Sequence, residues 1–153
     1  MKNIVILLCL VFGTSINAQV DGVGINTQDP RSTLDINGNL SLKVVSLNGG
    51  PASARTPIDD GTYINLTPTP GNADFELPDP TIIPGRIYIL RNVTNTETAF
   101  ILTQGTGVQF FAGDSTNGTN VVNMATSNGG GNVTKTLIFI SDGSNWTYGT
   151  LGF

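Results

Sequence analysis

The sequence predicts an all-β protein, with a short N-terminal β-hairpin or stalk motif followed by a small β-sandwich or jelly-roll-like body. Three observations support this fold class. The chain contains 19 glycines and few charged residues (12%), a composition that favours turns and strands over helices. Short apolar segments alternate with turn residues at the spacing of an all-β domain. No window shows sustained helical periodicity.

The first eighteen residues have the layout of a secretory signal peptide. Lys2 provides the positive charge, an apolar stretch covers residues 4–12, and a short segment with a small final residue ends at Ala18. The apolar stretch is about half as long as a membrane-spanning helix. We therefore expect cleavage near Ala18 and a protein that is secreted or displayed on the cell surface. Cys9 lies inside the apolar stretch and is not placed as a lipid-attachment cysteine.

We divide the rest of the chain into three parts. Residues 19–42 carry a compact motif, and residues 61–153 form the β body. Residues 43–60 are predicted to be an irregular connector, because Gly, Pro and Asp recur there and interrupt regular structure.

Eight strands are predicted in the body, each bounded by Gly, Pro or Asp turns. They cover residues 62–66, 73–77, 87–93, 98–103, 108–112, 120–124, 136–141 and 145–148.

Three of these segments, at residues 87–90, 99–102 and 137–140, are apolar at every position instead of alternating. Both faces of such strands need cover, and a two-layer domain of this size covers one face of each sheet. We therefore infer that the chain self-associates. The alternative is that loops of the same subunit cover these faces. The residues expected to contribute to packing or subunit contact are Leu34, Ile36, Ile87, Ile89, Phe100, Leu102, Ile138 and Ile140.

Residues 23–38 read V-G-I-N-T-Q-D-P-R-S-T-L-D-I-N-G. This run resembles the V-G-I-G-T-x-x-P-x-x-x-L-D-V-x-G motif of phage tail-fibre-like proteins and exported bacterial surface proteins, with Asn26 in place of a glycine. Residues 77–78, 84–92 and 141–146 are similar to a terminal β module of the same class. The resemblance implies a structural or adhesive role and burial of the motif by three chains wound together, which favours a homotrimer.

Within the motif, Leu34 and Ile36 alternate with Asp35 and Asn37, so one short strand presents two apolar side chains on one face. Asn37-Gly38 is a common hairpin turn, which predicts a β-hairpin here.

The composition excludes several classes of function. The chain has no His, and its single Cys lies in the predicted leader, so the mature chain lacks the residues for a Cys/His zinc site, a disulfide or an imidazole-dependent triad. Basic runs are absent and the formal net charge is −4, which argues against nucleic acid as a partner. We expect no cofactor, no metal and no membrane insertion, since the body lacks the long alternating strands of membrane barrels.

Adjacent carboxylates at Asp59 and Asp60 suggest a glycosidase, but neighbouring residues on an extended chain point to opposite faces. We interpret them as a solvated turn and predict no catalytic residue. Asp142-Gly143 is a hairpin turn rather than a calcium loop.

Trp146 and Tyr148 fall on one face of the last strand and form the candidate ligand-binding pair, because such rings stack on sugars. A core position for Trp146 is the interpretation we favour. The loop at residues 113–132 is a better candidate for a variable binding surface, with a flexible, solvent-exposed linkage as the alternative.

Three hypotheses result. The first is a non-catalytic secreted or cell-surface structural or adhesive protein that assembles through β-strand packing, with a surface glycan or protein as a further partner. The second is a monomeric carbohydrate-binding module that uses Trp146 and Tyr148. The third, a polysaccharide-degrading enzyme, has no positive support in the sequence.

Overall fold

The computed structural model describes residues 22–29, 32–126 and 133–151, which fall into two compact units divided after Ser41. The predicted signal peptide and its cleavage site lie outside the described residues. The described part is built from strands with one short 3-10 helix, which confirms the all-β fold class. No helix among the described residues is long and apolar enough to cross a membrane.

The first unit contains strands β1 (Val23–Ile25) and β2 (Leu34–Ile36), which pair in parallel. The predicted hairpin is therefore wrong for this unit. Asn26 has a positive φ of 58° and turns the chain directly after β1, and the following loop returns the chain to the end where β1 began. The Val23 N–H then donates to the Thr33 carbonyl at 2.7 Å. Asn37-Gly38 follows β2 and does not connect two paired strands.

The second unit contains the other strands, and each of the eight predicted strand segments has a counterpart among them. They are β3 (Val44–Asn48), β4 (Thr56–Pro57), β5 (Tyr63–Thr67), β6 (Asp74–Leu77), β7 (Ile87–Asn92), β8 (Ala99–Thr103), β9 (Phe110–Ala112), β10 (Gly118–Thr119), β11 (Val122–Met124), β12 (Thr136–Ser141) and β13 (Trp146–Thr150), with the 3-10 helix at Val133–Lys135. The strand boundaries shift by one or two residues because turn hydrogen bonds, and not apolar pattern, end each ladder.

These strands form a sandwich of two sheets. The seven-stranded sheet has the order β10-β9-β13-β12-β7-β5-β3, and the four-stranded sheet has the order β11-β8-β6-β4. The chain crosses between the sheets at each step from β3 to β9, so β3, β5 and β7 are parallel neighbours, as are β4, β6 and β8. Of the two predicted architectures, the sandwich is observed, because a jelly roll would require antiparallel neighbours here.

Residues 43–60, predicted to be an irregular connector, contribute β3 and β4 to the two sheets. The glycines that suggested a connector permit a close approach of two chain segments. A Cβ at Gly49 would collide with the carbonyl of Asn72, so a glycine is required where β3 ends beside the β5–β6 turn. The segment is thus part of the body.

The core lies between the two sheets and consists of the inward half of each alternating strand. Its largest fully buried side chains are those of Trp146, Tyr88, Phe75, Phe110 and Phe139. Tyr88 and Trp146 are tilted neighbours with ring centroids 5.8 Å apart, and Phe110 meets Phe139 edge to face at 5.9 Å. Each such pair stabilises the fold by about 0.5–1.5 kcal/mol beyond the contribution of the apolar area that it buries.

Burial of Tyr88 raises the pKa of its phenol, because the low-polarity surroundings disfavour the phenolate. The unfolded chain releases this proton near pH 10, whereas the folded chain holds it to higher pH. The unfolded state therefore binds fewer protons above pH 10, and we expect the free energy of unfolding to fall as the pH rises through that range. Urea denaturation at pH 8 to 11 should show a shallower decline for Tyr88→Phe than for the wild type. Parallel curves would contradict this assignment.

Candidate functional site

The outer face of the seven-stranded sheet carries an apolar patch at its centre. Ile87 and Ile89 on β7 are paired across the strands with Ile140 and Ile138 on β12. Their neighbours Tyr88, Leu90, Leu137 and Phe139 are buried between the sheets, so the isoleucines point the other way, and Ile87 and Ile140 have 44% and 40% of their surface exposed. We call these four residues the isoleucine face.

Neighbouring strands extend the isoleucine face. Tyr63 on β5 pairs with Ile89, and Val44 on β3 pairs in turn with Tyr63. On the other side, Phe111 on β9 pairs with Thr147, which pairs with Ile140. Arg91 is the only charged residue that the described strands of this sheet direct outward. The sequence did not identify Val44, Tyr63 and Phe111, because strand order decides which residues adjoin the isoleucines.

The outer face of the four-stranded sheet is different in character. Phe100, which is 37% exposed, and Leu102 lie on β8 and point away from the core. They are flanked by polar residues: Asp74 and Asn123 are paired with Phe100, and Glu76 is paired with Leu102. The Glu76 carboxylate also accepts hydrogen bonds from Arg55 (2.9 Å) and Gln104 (3.3 Å). Two apolar side chains in this charged setting do not form a continuous apolar surface.

The motif unit also displays apolar pairs. Val23 is paired with Leu34, and Ile25 with Ile36. Val23, Ile25 and Leu34 each have more than half of their surface exposed, and Ile36 is half-buried. This unit has no buried core of its own among its described residues. A pair of three-residue strands is marginal without further cover.

Of the two residues predicted to bind a ligand, Trp146 is buried and only Tyr148 is partly accessible. Trp146 has no exposed surface, and its indole N–H donates to Thr103 Oγ1 at 3.0 Å and to the Pro78 carbonyl at 3.3 Å. It cannot stack on a sugar, because both faces of its ring lie in the core. The two residues do share one face of β13, as expected, but that face is the inner one. Tyr148 is half-buried and stacks on Phe139, with ring centroids 5.7 Å apart.

A cleft of about 720 Å³ lies at one end of the second unit. Tyr148 lines it, together with residues from the glycine- and asparagine-rich loop, including Asp114, Thr119 and Asn123. The predicted variable loop therefore lies beside one member of the predicted ligand-binding pair. Part of that loop, residues 127–132, is outside the described residues.

Asp60 and Asp142 each bond to neighbouring groups of the chain. Asp60 forms an ion pair with Lys43, and this hydrogen bond, together with one from the Gly61 N–H, lowers the pKa of the Asp60 carboxyl. Asp142 accepts hydrogen bonds from the N–H groups of Ser144 and Asn145, as a turn residue does. No three potential metal ligands of the Asp, Glu, Cys or His type cluster within the described ranges.

Comparison of the chain with protein families, with curated proteins and with solved structures finds no match. The isoleucine face is therefore the candidate functional site on physical grounds: together with Tyr63 and Val44 it forms the largest set of adjacent outward apolar positions that strand pairing creates in the described chain.

Proposed function

We propose that this chain is a non-catalytic, exported structural or adhesive protein that assembles with copies of itself through the isoleucine face. One observation carries the proposal. Two adjacent central strands each direct two isoleucines outward, and strand pairing places the four side chains together. An exposed patch of this kind on a soluble protein marks an interaction surface.

A second copy of the chain is the partner that the surface chemistry favours. Arg91 is the only charged side chain that the described strands of this sheet direct outward, so the surface around the isoleucine face offers little for recognition of a charged ligand. Outer sheet faces pack against each other about 10 Å apart when their side chains interdigitate. β-Branched side chains such as isoleucine lose little rotamer entropy in this setting, because their χ1 is already restricted in a strand.

The motif unit supports the same proposal independently. Its apolar pairs, Val23 with Leu34 and Ile25 with Ile36, are outward, and its described residues bury no core. Association of several copies would cover these pairs. The tail-fibre resemblance of this segment favours three copies, so a homotrimer is the assembly that we expect.

Replacement of Ile89 and Ile138 by threonine tests the proposal. Threonine keeps the β-branched shape and the strand preference but replaces the ethyl branch of isoleucine with a hydroxyl. We expect light scattering after size exclusion to give the wild-type chain (residues 19–153) a mass that corresponds to three chains or to a whole multiple of three. The double variant should dissociate at a concentration at least about tenfold higher, since each buried methyl or methylene group that is lost costs about 0.8 kcal/mol and a tenfold change corresponds to about 1.4 kcal/mol.

Ile82→Thr is the matched control. Ile82 has 71% of its surface exposed, but it lies in the loop before β7 and is not one of the four residues of the isoleucine face. It should retain the wild-type assembly. A monomeric wild-type chain, or a double variant that dissociates no more readily than Ile82→Thr, would refute the proposal. In the first case, the cleft beside Tyr148 becomes the leading candidate site, and a glycan-array screen is the next experiment.

A further inference from the structure

β3 forms one edge of the seven-stranded sheet and pairs on one side only in the described structure. Its hydrogen bonds to β5 are bounded by two contacts: the Tyr63 N–H donates to the Lys43 carbonyl at 3.2 Å, and the Gly49 N–H donates to the Thr67 carbonyl at 3.3 Å. In a parallel ladder, alternate residues of a strand bond to the same neighbour. The N–H and C=O groups of Val44, Ser46 and Asn48 therefore point away from β5.

The other edges of the sandwich have features that limit pairing with another strand. β4 and β10 are two residues long and β11 is three. β4 also contains Pro57 and follows Arg55, which pairs with Glu76. Short strands, proline and charge are the usual protections of an edge. β3 is five residues long, and its sequence, V-V-S-L-N, contains neither a charge nor a proline. Lys43, which directly precedes it, forms an ion pair with Asp60.

The inward side chains of β3 are incompletely covered. Val45 and Leu47 pack against the core cluster but remain half-buried, whereas Ile64 and Leu66 on the adjacent strand have no exposed surface. The core is thus open at this end of the sandwich. Another strand beside β3 would cover both side chains and would also pair with the outward backbone groups of Val44 and Ser46. The outward carbonyl of Asn48 already accepts a hydrogen bond from the Thr56 hydroxyl at 2.8 Å.

We propose that β3 pairs in antiparallel orientation with β3 of a second copy, with Ser46 at the two-fold axis. The short sequence is complementary to itself in this register. Val45 of one copy lies opposite Leu47 of the other on the core side, and Ser46 lies opposite Ser46. A two-fold interface requires this reciprocity. The contact joins two seven-stranded sheets edge to edge through backbone hydrogen bonds and involves none of the four isoleucines of the isoleucine face.

A cysteine at position 46 tests the proposed register. The only native cysteine, Cys9, precedes residue 19, so the Ser46→Cys chain (residues 19–153) contains one thiol. Opposed residues of a hydrogen-bonded antiparallel pair have Cα atoms about 5.5 Å apart, which a disulfide can span. We expect mild oxidation to convert most of this variant into a covalent dimer. Asn123→Cys, an exposed strand position on the other sheet, is the control and should stay mostly uncrosslinked. Equal crosslinking of the two variants would overturn the proposal.

Ser46→Pro provides a second, non-covalent test. The Ser46 N–H points away from β5, so proline removes a donor from the free edge without removing a bond to β5. We expect Ser46→Pro to abolish the edge contact and Ser46→Thr, which keeps the N–H, to retain it. In native-state hydrogen exchange, the backbone amide of residue 46 should be protected both in the wild type and in the Ser46→Thr variant. An unprotected Ser46 amide in the wild-type assembly would overturn the proposal.

The two interfaces can be distinguished by combining the variants. If both interfaces exist, the β3 contact joins two trimers into a hexamer. Ile89→Thr/Ile138→Thr then leaves a dimer held by β3, and Ser46→Pro leaves the trimer held by the isoleucine face. Loss of assembly only in Ser46→Pro supports the edge pairing and refutes the isoleucine face. Loss of assembly only in Ile89→Thr/Ile138→Thr supports the isoleucine face and refutes the edge pairing.

Discussion

Trp146→Ala is expected to lower the free energy of unfolding by about 3–5 kcal/mol, the range for loss of a large aromatic side chain from a packed core. The Trp146 side chain has no exposed surface and contacts Tyr88. Its indole N–H also satisfies Thr103 Oγ1 and the Pro78 carbonyl, which lie at the end of the opposite sheet. For a domain of this size, the loss corresponds to a decrease in melting temperature on the order of 10–20 °C.

Trp146→Phe serves as the graded comparison, because it retains a ring and removes the indole N–H. We expect a loss of about 1–2 kcal/mol, mainly from a smaller ring and the two hydrogen-bond acceptors left without this donor. Urea denaturation monitored by far-ultraviolet circular dichroism measures both variants. An alanine variant with wild-type stability and lost glycan binding would show that Trp146 acts at the surface, which would contradict its position in the structure.

Asn92→Ala is expected to lower the free energy of unfolding by about 3 kcal/mol, although the residue is polar and lies at the end of a strand. Asn92 is fully buried at the end of β7. Its Nδ2 donates to the Glu97 carbonyl at 2.8 Å and to the Met124 carbonyl at 3.0 Å. Its Oδ1 accepts hydrogen bonds from the N–H and the hydroxyl of Thr94. Truncation leaves these groups without the amide in a site that water does not reach.

Asn123→Ala is the matched control for this substitution. Asn123 is exposed on β11, one residue before Met124, so the same truncation there should change stability by less than about 0.5 kcal/mol. Chemical denaturation of both variants gives the comparison. Equal small effects would show that the amide of Asn92 contributes no more than a surface side chain, and would contradict the linking role of the residue between the two sheets.

Asn92 shows the limit of sequence interpretation for polar residues. Its neighbours Arg91 and Val93 gave no sign that the asparagine is buried, because burial of an amide depends on acceptors from residues 97 and 124 that become close only in the fold. Trp146 is different, because the sequence favoured a core position for it and its side chain is fully buried. The sequence placed it on one face of β13 with Tyr148, but which of the two faces is inside depends on the second sheet.

The predicted connector was wrong for a different reason. Gly, Pro and Asp residues normally end regular structure, and they are frequent between residues 43 and 60. In the fold they end two short edge strands instead of replacing them. The alternation of Val45 and Leu47 with polar residues was the local signal for β3, and it was outweighed by the turn residues that follow.

The sequence by itself determined the all-β class, the eight strand segments of the body and the doubly apolar character of residues 87–90, 99–102 and 137–140. These depend on local composition and on side-chain alternation, which are properties of neighbouring residues. Tertiary structure alone decided the parallel pairing of β1 with β2, the crossing of the chain between two sheets, and the grouping of Ile87, Ile89, Ile138 and Ile140 on one face. These depend on strand order and register, which join residues eleven positions apart in the β1–β2 pair (Val23 with Leu34) and 53 apart in the β7–β12 pair (Ile87 with Ile140), and no local pattern specifies such contacts.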